Sequence, residues 1–213
     1  MEIPMKLQLA VDTTVLDDAL KLVDDLQGLV EIVEVGTPLI LKEGSKAIRE
    51  IKQRHGGQAV LADFKIMDAG ACEAEIAFEA GADIVSVLGA ANDITIQDAI
   101  EKAHQGDRQI MADLIAVEDV TGRANLLNEM HVDYVCVHTA SDIPHQNPTD
   151  DLAAVRGVLT DVGIAVAGGV DPEIAKKCAA YHPDIVVVGS YITGSTDPCR
   201  AARDIRSSFR FEQ

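Results

Sequence analysis

The stretch from Ala59 to Asp68 reads Ala-Val-Leu-Ala-Asp-Phe-Lys-Ile-Met-Asp. Its apolar first half predicts a strand that is buried on both faces, as in a parallel sheet covered by helices. Asp63 and Lys65 follow directly, and their two-residue spacing places both side chains on one face of the strand. Because a buried lysine is costly unless it is paired, Asp63 is its natural partner. We therefore expect an ion pair at the carboxyl end of a buried parallel strand.

Apolar runs of this kind recur along the chain, with a helical pattern between them. Strand and helix alternate with a repeat of roughly 25 residues, which predicts parallel strands joined by helical crossovers. Eight such units predict an α/β fold, a single (β/α)8 TIM barrel that takes residues 1–213 as one domain. A doubly wound open sheet is the alternative. The predicted strands are Leu7–Val11, Val30–Val35, Ala59–Ala62, Ile84–Leu88, Ile110–Leu114, Tyr134–Val137, Ile164–Ala167 and Ile185–Val188.

The composition narrows the range of partners. The chain has 35 acidic and 18 basic residues, and its formal net charge of −17 argues against a nucleic acid or an anionic membrane as a partner. A phosphorylated substrate is compatible, since backbone N–H groups at helix N-termini can hold a phosphate. The four cysteines form no CxxC motif, and the sequence has no signal-peptide pattern or membrane-spanning run. We therefore expect reduced thiols and a cytoplasmic protein.

Polar residues stand at the carboxyl ends of several predicted strands, where the active sites of barrels form. Asp12 ends the first strand, Glu34 lies near the end of the second, Asp113 ends the fifth and His138 ends the sixth. Each has a structural alternative, because Asp12 can cap a helix, Asp113 can cap a turn and a lone histidine is often structural. Their coincidence at the same end of successive strands, beside the predicted ion pair, favours a functional site.

The residue types in this group indicate metal-assisted chemistry. Glu34 and Asp63 are oxygen ligands of the kind that hold Mg2+, which can stabilise an enediolate through two adjacent substrate oxygens. Lys65 can donate hydrogen bonds to the same developing negative charge. Histidine is the side chain best suited to proton transfer near neutral pH, which assigns that role to His138.

Two glycine-containing loops follow the last two predicted strands. Gly168-Gly169 and Gly189-Ser190 stand where barrel enzymes commonly bind a phosphate, because glycine lets the backbone approach an anion closely. The alternative is that these glycines only make tight turns between strand and helix. Their occurrence after both strands favours a phosphate site made by Gly168, Gly169, Gly189 and Ser190.

The arrangement Asp-x-Lys-x-x-Asp, formed by Asp63, Lys65 and Asp68, resembles a signature of the orotidine-5′-phosphate decarboxylase superfamily. Within that superfamily, the sequence is most similar to the 3-hexulose-6-phosphate synthase family. The resemblance runs in order from about Met5 to about Ile205. The segments that support it include Lys6–Asp12, Glu34–Pro38, Gly81–Asp83, Val137–Thr139, Val166–Gly169 and Ile192–Gly194.

The resemblance implies a Mg2+-dependent aldol addition of formaldehyde to D-ribulose 5-phosphate, which gives D-arabino-hex-3-ulose 6-phosphate through an enediolate. Glu34 and Asp63 would hold Mg2+, Lys65 would stabilise the enediolate and His138 would transfer protons.

The resemblance also implies roles for residues around this centre. Asp68 would reach across the interface of a homodimer into the active site of the partner subunit. Asp12 would contact substrate hydroxyls, and we assign Asp113 to substrate binding as well. The glycine loops would bind the phosphate of the substrate.

Three other functions share features with this sequence. Orotidine decarboxylases place a lysine near the end of the second strand, whereas this chain has Glu34, so that activity is set aside. The 3-keto-L-gulonate-6-phosphate decarboxylases share the metal site but resemble His-Arg-Ser-Arg-Asp after the sixth strand, where this chain has His138-Thr139-Ala140-Ser141-Asp142. A barrel that binds a sugar phosphate without turnover is the third, although it would have no need of a buried Lys65. Two departures from the synthase pattern are Ser190-Tyr191 and the loop 142–147.

Overall fold

The computed structural model describes residues 5–54, 57–143 and 148–209. Eight strands form a closed parallel barrel in which each strand pairs with the next along the chain and the last pairs with the first. The predicted (β/α)8 barrel is confirmed, and the open doubly wound sheet is excluded. All eight predicted strands are present: β1 Lys6–Val11, β2 Ile32–Val35, β3 Ala59–Ile66, β4 Ile84–Leu88, β5 Gln109–Asp113, β6 Tyr134–His138, β7 Gly163–Ala167 and β8 Ile185–Val188.

Helices connect the strands and cover the outside of the barrel. The short helices α2 and α9, which follow β2 and β8, were not predicted from the sequence. No helix in the described ranges is long and apolar enough to cross a membrane. The helices are α1 Leu16–Asp25, α2 Thr37–Glu43, α3 Lys46–Arg54, α4 Gly70–Glu79, α5 Asp93–His104, α6 Val120–Glu129, α7 Thr149–Arg156, α8 Pro172–Ala179, α9 Ser190–Thr193 and α10 Pro198–Ser208.

The alternation of side chains along the strands separates two apolar layers. Strand residues whose side chains point outward, such as Val33 and Val85, are fully buried and pack in the large core between the strands and the helices. Residues of the other phase, such as Ile32, Leu61 and Met111, form a smaller cluster inside the barrel. This inward phase turns polar toward the carboxyl ends of the strands, and the functional site forms there.

At the opposite end of the barrel, where the strands begin, the same kind of hydrogen bond occurs four times. A carboxylate just before each even-numbered strand accepts a hydrogen bond from a main-chain N–H of the strand before it. Because each bond satisfies an N–H at the start of a strand, we interpret this end of the barrel as structural. The four bonds, each 2.8 Å long, run from Leu7 to Glu31, from Val60 to Asp83, from Ile110 to Asp133 and from Ile164 to Asp184.

Candidate active site

A cavity of about 460 Å³ opens at the carboxyl ends of the strands. This volume is in the range of small-molecule sites and is large enough for a sugar phosphate. The structure brings nearly all of the predicted site residues to its lining: Asp12, Glu34, Asp63, Lys65, Asp113, His138, Gly168, Gly169, Gly189 and Ser190. Polar residues that were not predicted also line it, among them Gln8, Thr37 and Ser86.

Lys65 is held between two carboxylates. Its Nζ lies 2.7 Å from Oδ2 and 2.9 Å from Oδ1 of Asp63, and 3.4 Å from Oδ2 of Asp113. Burial lowers the pKa of Lys65, but the negative charges of Asp63 and Asp113 raise it by more, so the pKa stands above its ordinary value. The ammonium group therefore stays charged inside the cavity, and the predicted ion pair is confirmed.

A bulge in β3 aims Lys65 into the cavity. The register with β4 shifts between Ala62 and Ile66, and Lys65 has a φ of 48°, in the left-handed region. Its main-chain N–H donates to Oγ of Ser86 at 2.9 Å, and that hydroxyl donates to Oδ1 of Asp63 at 2.7 Å. The shared face of Asp63 and Lys65 thus depends on a left-handed residue that Ser86 supports, and not on strand alternation alone.

Hydrogen bonds orient both of the predicted metal ligands. Nε2 of Gln8 donates to Oε2 of Glu34 at 2.7 Å, and Oγ1 of Thr37 donates to Oδ2 of Asp63 at 2.7 Å. Burial, followed by the charge of Asp63, raises the pKa of Glu34 well above its ordinary value, although the bond from Gln8 acts in the opposite direction. Glu34 and Asp63 therefore face the same space and repel each other electrostatically.

The two carboxylates suit the cation that the sequence predicts. Mg2+ in proteins is commonly held by one or two carboxylates and keeps its other positions for water and substrate oxygens. Over the described ranges, no group of three or more His, Cys, Asp or Glu side chains is arranged to hold a metal ion. Glu34 and Asp63 would hold such a cation as a two-carboxylate donor set, and the cation would relieve their repulsion.

His138 is oriented by Asp113 from the neighbouring strand. Nδ1 of His138 lies 2.8 Å from Oδ2 and 3.0 Å from Oδ1 of Asp113. Burial raises the pKa of Asp113, but the hydrogen bond and charge of His138 together with Lys65 lower it by more, so the pKa lies below its ordinary value. Asp113 also accepts from the N–H of Ile115, so the turn-capping alternative is correct alongside its contact with the site.

The two glycine loops lie on the rim of the same cavity. Gly168 and Gly169 have φ values of 98° and 63°, in the left-handed region that favours glycine. A Cβ at Gly168 would lie 2.1 Å from a main-chain oxygen of the loop after β6, whereas Gly169 faces open space. On the second loop, Gly189 and Ser190 line the cavity. Helix α9 begins at Ser190, and the first main-chain N–H groups of a helix have no acceptor within it. Such free amides can bind an anion.

Tyr191 and the loop after β6 depart from the synthase pattern, and they lie differently with respect to the cavity. The side chain of Tyr191 is 36% exposed and is absent from the lining of the cavity, whereas the adjacent Ser190 is part of it. Tyr191 therefore does not fill the cavity beside Ser190. In the loop after β6, Thr139–Asp142 line the cavity, and residues 144–147 lie outside the described residues.

Asp12 and Asp68 occupy different positions relative to the cavity. Asp12 lines it, and α1 begins only at Leu16 with Val15 as its N-cap, so Asp12 does not cap that helix. Burial and then the charge of Asp63 raise the pKa of Asp12 above its ordinary value. Asp68 is exposed outside the cavity of its own chain, where Oδ1 accepts from the N–H of Ala69 at 2.8 Å. A role for Asp68 would therefore require a second subunit.

The sequence matches the family described as Orotidine 5'-phosphate decarboxylase / HUMPS from residue 5 to residue 205. The chain belongs to this family. A 3-hexulose-6-phosphate synthase of Staphylococcus haemolyticus (strain JCSC1435) is 41% identical over 206 residues, which are 96% of this chain and 98% of that protein. The matched span encloses every residue that lines the cavity, so the site lies wholly within the family's domain.

Solved structures of this family are also similar. The 1.65 Å crystal structure of 3-hexulose-6-phosphate synthase from Salmonella typhimurium has a TM-score of 0.93 and 42% identity, and the match covers 96% of this chain and 98% of that one. A second crystal structure of a 3-hexulose-6-phosphate synthase has a TM-score of 0.92 and 37% identity, and covers 97% of this chain and 100% of that one. The chain is therefore an enzyme of this family, and its curated relatives are lyases.

Proposed function

We propose that the chain catalyses the Mg2+-dependent aldol addition of formaldehyde to D-ribulose 5-phosphate, which gives D-arabino-hex-3-ulose 6-phosphate. The observation that carries this proposal is the position of Lys65, whose Nζ is held by Asp63 in a cavity that Glu34 and His138 also line. A fixed positive charge, two oxygen ligands and a histidine are the groups that formation of an enediolate requires. The relatives named 3-hexulose-6-phosphate synthase support the choice of reaction.

Glu34 and Asp63 would hold the divalent cation. When bound, Mg2+ would supply positive charge that stabilises an enediolate of the sugar phosphate. Lys65 donates hydrogen bonds to the same charge, and its fixed position means that little reorganisation is needed during the reaction. Asp63 would then be shared between the cation and Lys65, whose Nζ lies 2.7 Å from its Oδ2.

His138 handles the protons. Asp113 holds Nδ1, which leaves Nε2 as the nitrogen that can take a proton from C1 of D-ribulose 5-phosphate. The electrons of the broken C–H bond form the double bond between C1 and C2, while the π electrons of the C2 carbonyl move onto its oxygen. In the next step the C2 carbonyl re-forms and C1 attacks the carbon of formaldehyde. The π electrons of formaldehyde move onto its oxygen, which takes the proton back from His138.

The substrate would be oriented by groups at the rim. The free amides beside Gly169 and Ser190 would hold the phosphate, which explains how a chain with a net charge of −17 can bind an anion with few basic side chains. The carboxylate of Asp12 would accept hydrogen bonds from sugar hydroxyls. Asp68 would complete the site from the partner subunit of a homodimer.

The test is a pair of assays in the presence of Mg2+. Formaldehyde-dependent loss of D-ribulose 5-phosphate is the expected result, whereas release of CO2 from 3-keto-L-gulonate 6-phosphate would favour the decarboxylase. Lys65→Ala should lose most turnover, because it removes the charge that stabilises the enediolate. A protein that binds the sugar phosphate, converts neither substrate and keeps its affinity in Lys65→Ala would be a sensor, and the proposal would be wrong.

A further inference from the structure

Gln8 is a polar residue inside the barrel that the reaction described above does not use. It lies on β1 between Leu7 and Leu9, its exposure is 1%, and it lines the cavity together with Glu34. Its Nε2 donates to Oε2 of Glu34 at 2.7 Å. This bond turns the NH2 group of the amide toward Glu34 and leaves Oε1 facing elsewhere. The same orientation suits a Glu34 that binds a cation, because an ionised carboxylate only accepts hydrogen bonds.

Oε1 of Gln8 is buried and has no hydrogen-bond partner among the described residues. A buried carbonyl oxygen without a partner carries its whole desolvation penalty, which an apolar side chain of similar size would avoid. Methionine, for example, would fill the same part of the barrel. The polar side chain is therefore best explained by an occupant of the cavity that meets Oε1.

We propose that Gln8 belongs to the divalent-cation site: its Nε2 positions Glu34, and its Oε1 supplies a third, uncharged oxygen to the cation. This inference rests on the proposed function, because the cation is the one that Glu34 and Asp63 would hold. An amide oxygen is a hard donor of the kind that Mg2+ accepts. Gln8 is also hydrogen-bonded directly to Glu34. It completes the donor set without adding to the repulsion between the two carboxylates.

The test measures cation binding without substrate, with Mn2+ as the probe and its electron paramagnetic resonance signal as the readout. Gln8→Met should bind Mn2+ about 10- to 100-fold more weakly than the unmutated protein. Gln58→Met is the matched control. Gln58 is the other described residue with a buried, unpartnered Oε1, but its Nε2 bonds to the main-chain oxygen of Val30, at the far end of the barrel. This control should bind Mn2+ normally.

A second variant separates the two parts of the proposal. Gln8→Glu keeps an oxygen in place of Oε1 and adds a charge, but it cannot donate to Glu34. If Oε1 faces the cation, this variant binds Mn2+ at least as tightly as the unmutated protein. If Gln8 only positions Glu34, the variant binds more weakly, and the claim of a third oxygen is wrong.

The outcomes also separate this inference from the proposed function. Unchanged Mn2+ affinity in folded Gln8→Met would overturn the role of Gln8 and leave Glu34 and Asp63 as the ligands. Unchanged Mn2+ affinity with weaker binding of D-ribulose 5-phosphate would show that Oε1 faces the substrate, and would also overturn it. If the unmutated protein does not bind Mn2+, both the inference and the metal assignment fail.

Discussion

Nδ1 of His138 lies 2.8 Å from Oδ2 of Asp113, across two adjacent strands of the barrel. This hydrogen bond leaves Nε2 as the nitrogen that can accept a proton, and it fixes the plane of the ring. The carboxylate that orients the ring also lies 3.4 Å from Nζ of Lys65. Asp113 therefore contacts both His138, to which we assign proton transfer, and Lys65, to which we assign the stabilisation of negative charge.

Asp113→Asn should lower kcat by about 10²-fold or more, because the amide no longer favours the productive form of His138. The KM for D-ribulose 5-phosphate should rise by less than kcat falls, since Asp113 also lines the cavity to whose substrate we assign it. Steady-state kinetics check this, with Asp133→Asn as the control. Asp133 contacts Nε2 of His104 at 3.2 Å in a similar pair at the opposite end of the barrel, so that variant should keep its kcat. Equal losses of kcat in both variants would mean that the effect is structural.

Glu34→Gln should stabilise the metal-free protein at neutral and higher pH. Burial and the charge of Asp63 raise the folded-state pKa of Glu34 above its ordinary value of 4.5. Below pH 4.5 the Glu34 carboxyl is protonated in both the folded and the unfolded protein, and its burial carries no charge penalty. As the pH rises from there through the folded-state pKa, the folded protein loses stability relative to the unfolded one. Above this pH range, the variant should have the higher Tm. Each kcal/mol of difference in the free energy of unfolding shifts the Tm of a chain of this size by about 2–4 °C.

The difference in Tm between Glu34→Gln and the unmutated protein should shrink as the pH falls toward 4.5. Thermal unfolding in a chelating buffer over a range of pH values is the measurement. Added Mg2+ should raise the Tm of the unmutated protein but not that of the variant. A variant that is less stable at every pH would contradict the repulsion between Glu34 and Asp63.

Mixing two inactive variants tests whether Asp68 acts in the partner's site. Lys65→Ala and Asp68→Asn homodimers should each have low activity. A hybrid dimer has one site in which both native residues meet, so random mixing should restore about a quarter of the native activity. The mixture is assayed after the subunits have been allowed to exchange. No recovery in a mixture that contains hybrid dimers would mean that Asp68 does not act across the interface.

Gly169→Ala should weaken binding of the sugar phosphate. Gly169 has a φ of 63° and faces open space, so its Cβ would meet no protein atom and would enter the region where we place the phosphate. The KM for D-ribulose 5-phosphate should rise about tenfold, which corresponds to the loss of about 1.4 kcal/mol of binding energy. Gly28→Ala is the control for backbone strain, because Gly28 has a φ of 77° and open space away from the cavity. If both variants change KM equally, the phosphate does not lie at Gly169.

The fold could be predicted from the sequence because each strand carries its own apolar run. Helix α2 was missed since its sequence, Thr-Pro-Leu-Ile-Leu-Lys-Glu, places Leu41 outward with 82% exposure and so lacks a clear apolar face. The four residues of α9 are too few to show any periodicity. Both helices follow a strand directly at the end of the barrel where the cavity opens, and their position depends on the packing of the whole barrel.

The candidate site was predictable where charge interrupts an apolar strand. Glu34, Asp63 and Lys65 stood out because a buried charge needs a partner. Gln8 and Ser86 were missed, although each is a polar residue in an apolar run and shares the inward phase. The alternation of the strands could have identified both. The left-handed backbone of Lys65 could not be predicted, since it follows from a register shift between β3 and β4.

Formation of the enediolate can be followed by NMR, without formaldehyde, as exchange of a C1 hydrogen of D-ribulose 5-phosphate with deuterium from the solvent. If His138 removes this hydrogen before any aldehyde binds, the enzyme with Mg2+ should exchange it. Chelation of the metal, or the substitution Asp63→Ala, should abolish the exchange. Undiminished exchange in the metal-free enzyme or in Asp63→Ala would contradict the assignment of Glu34 and Asp63, and aldol turnover without any exchange would contradict the enediolate.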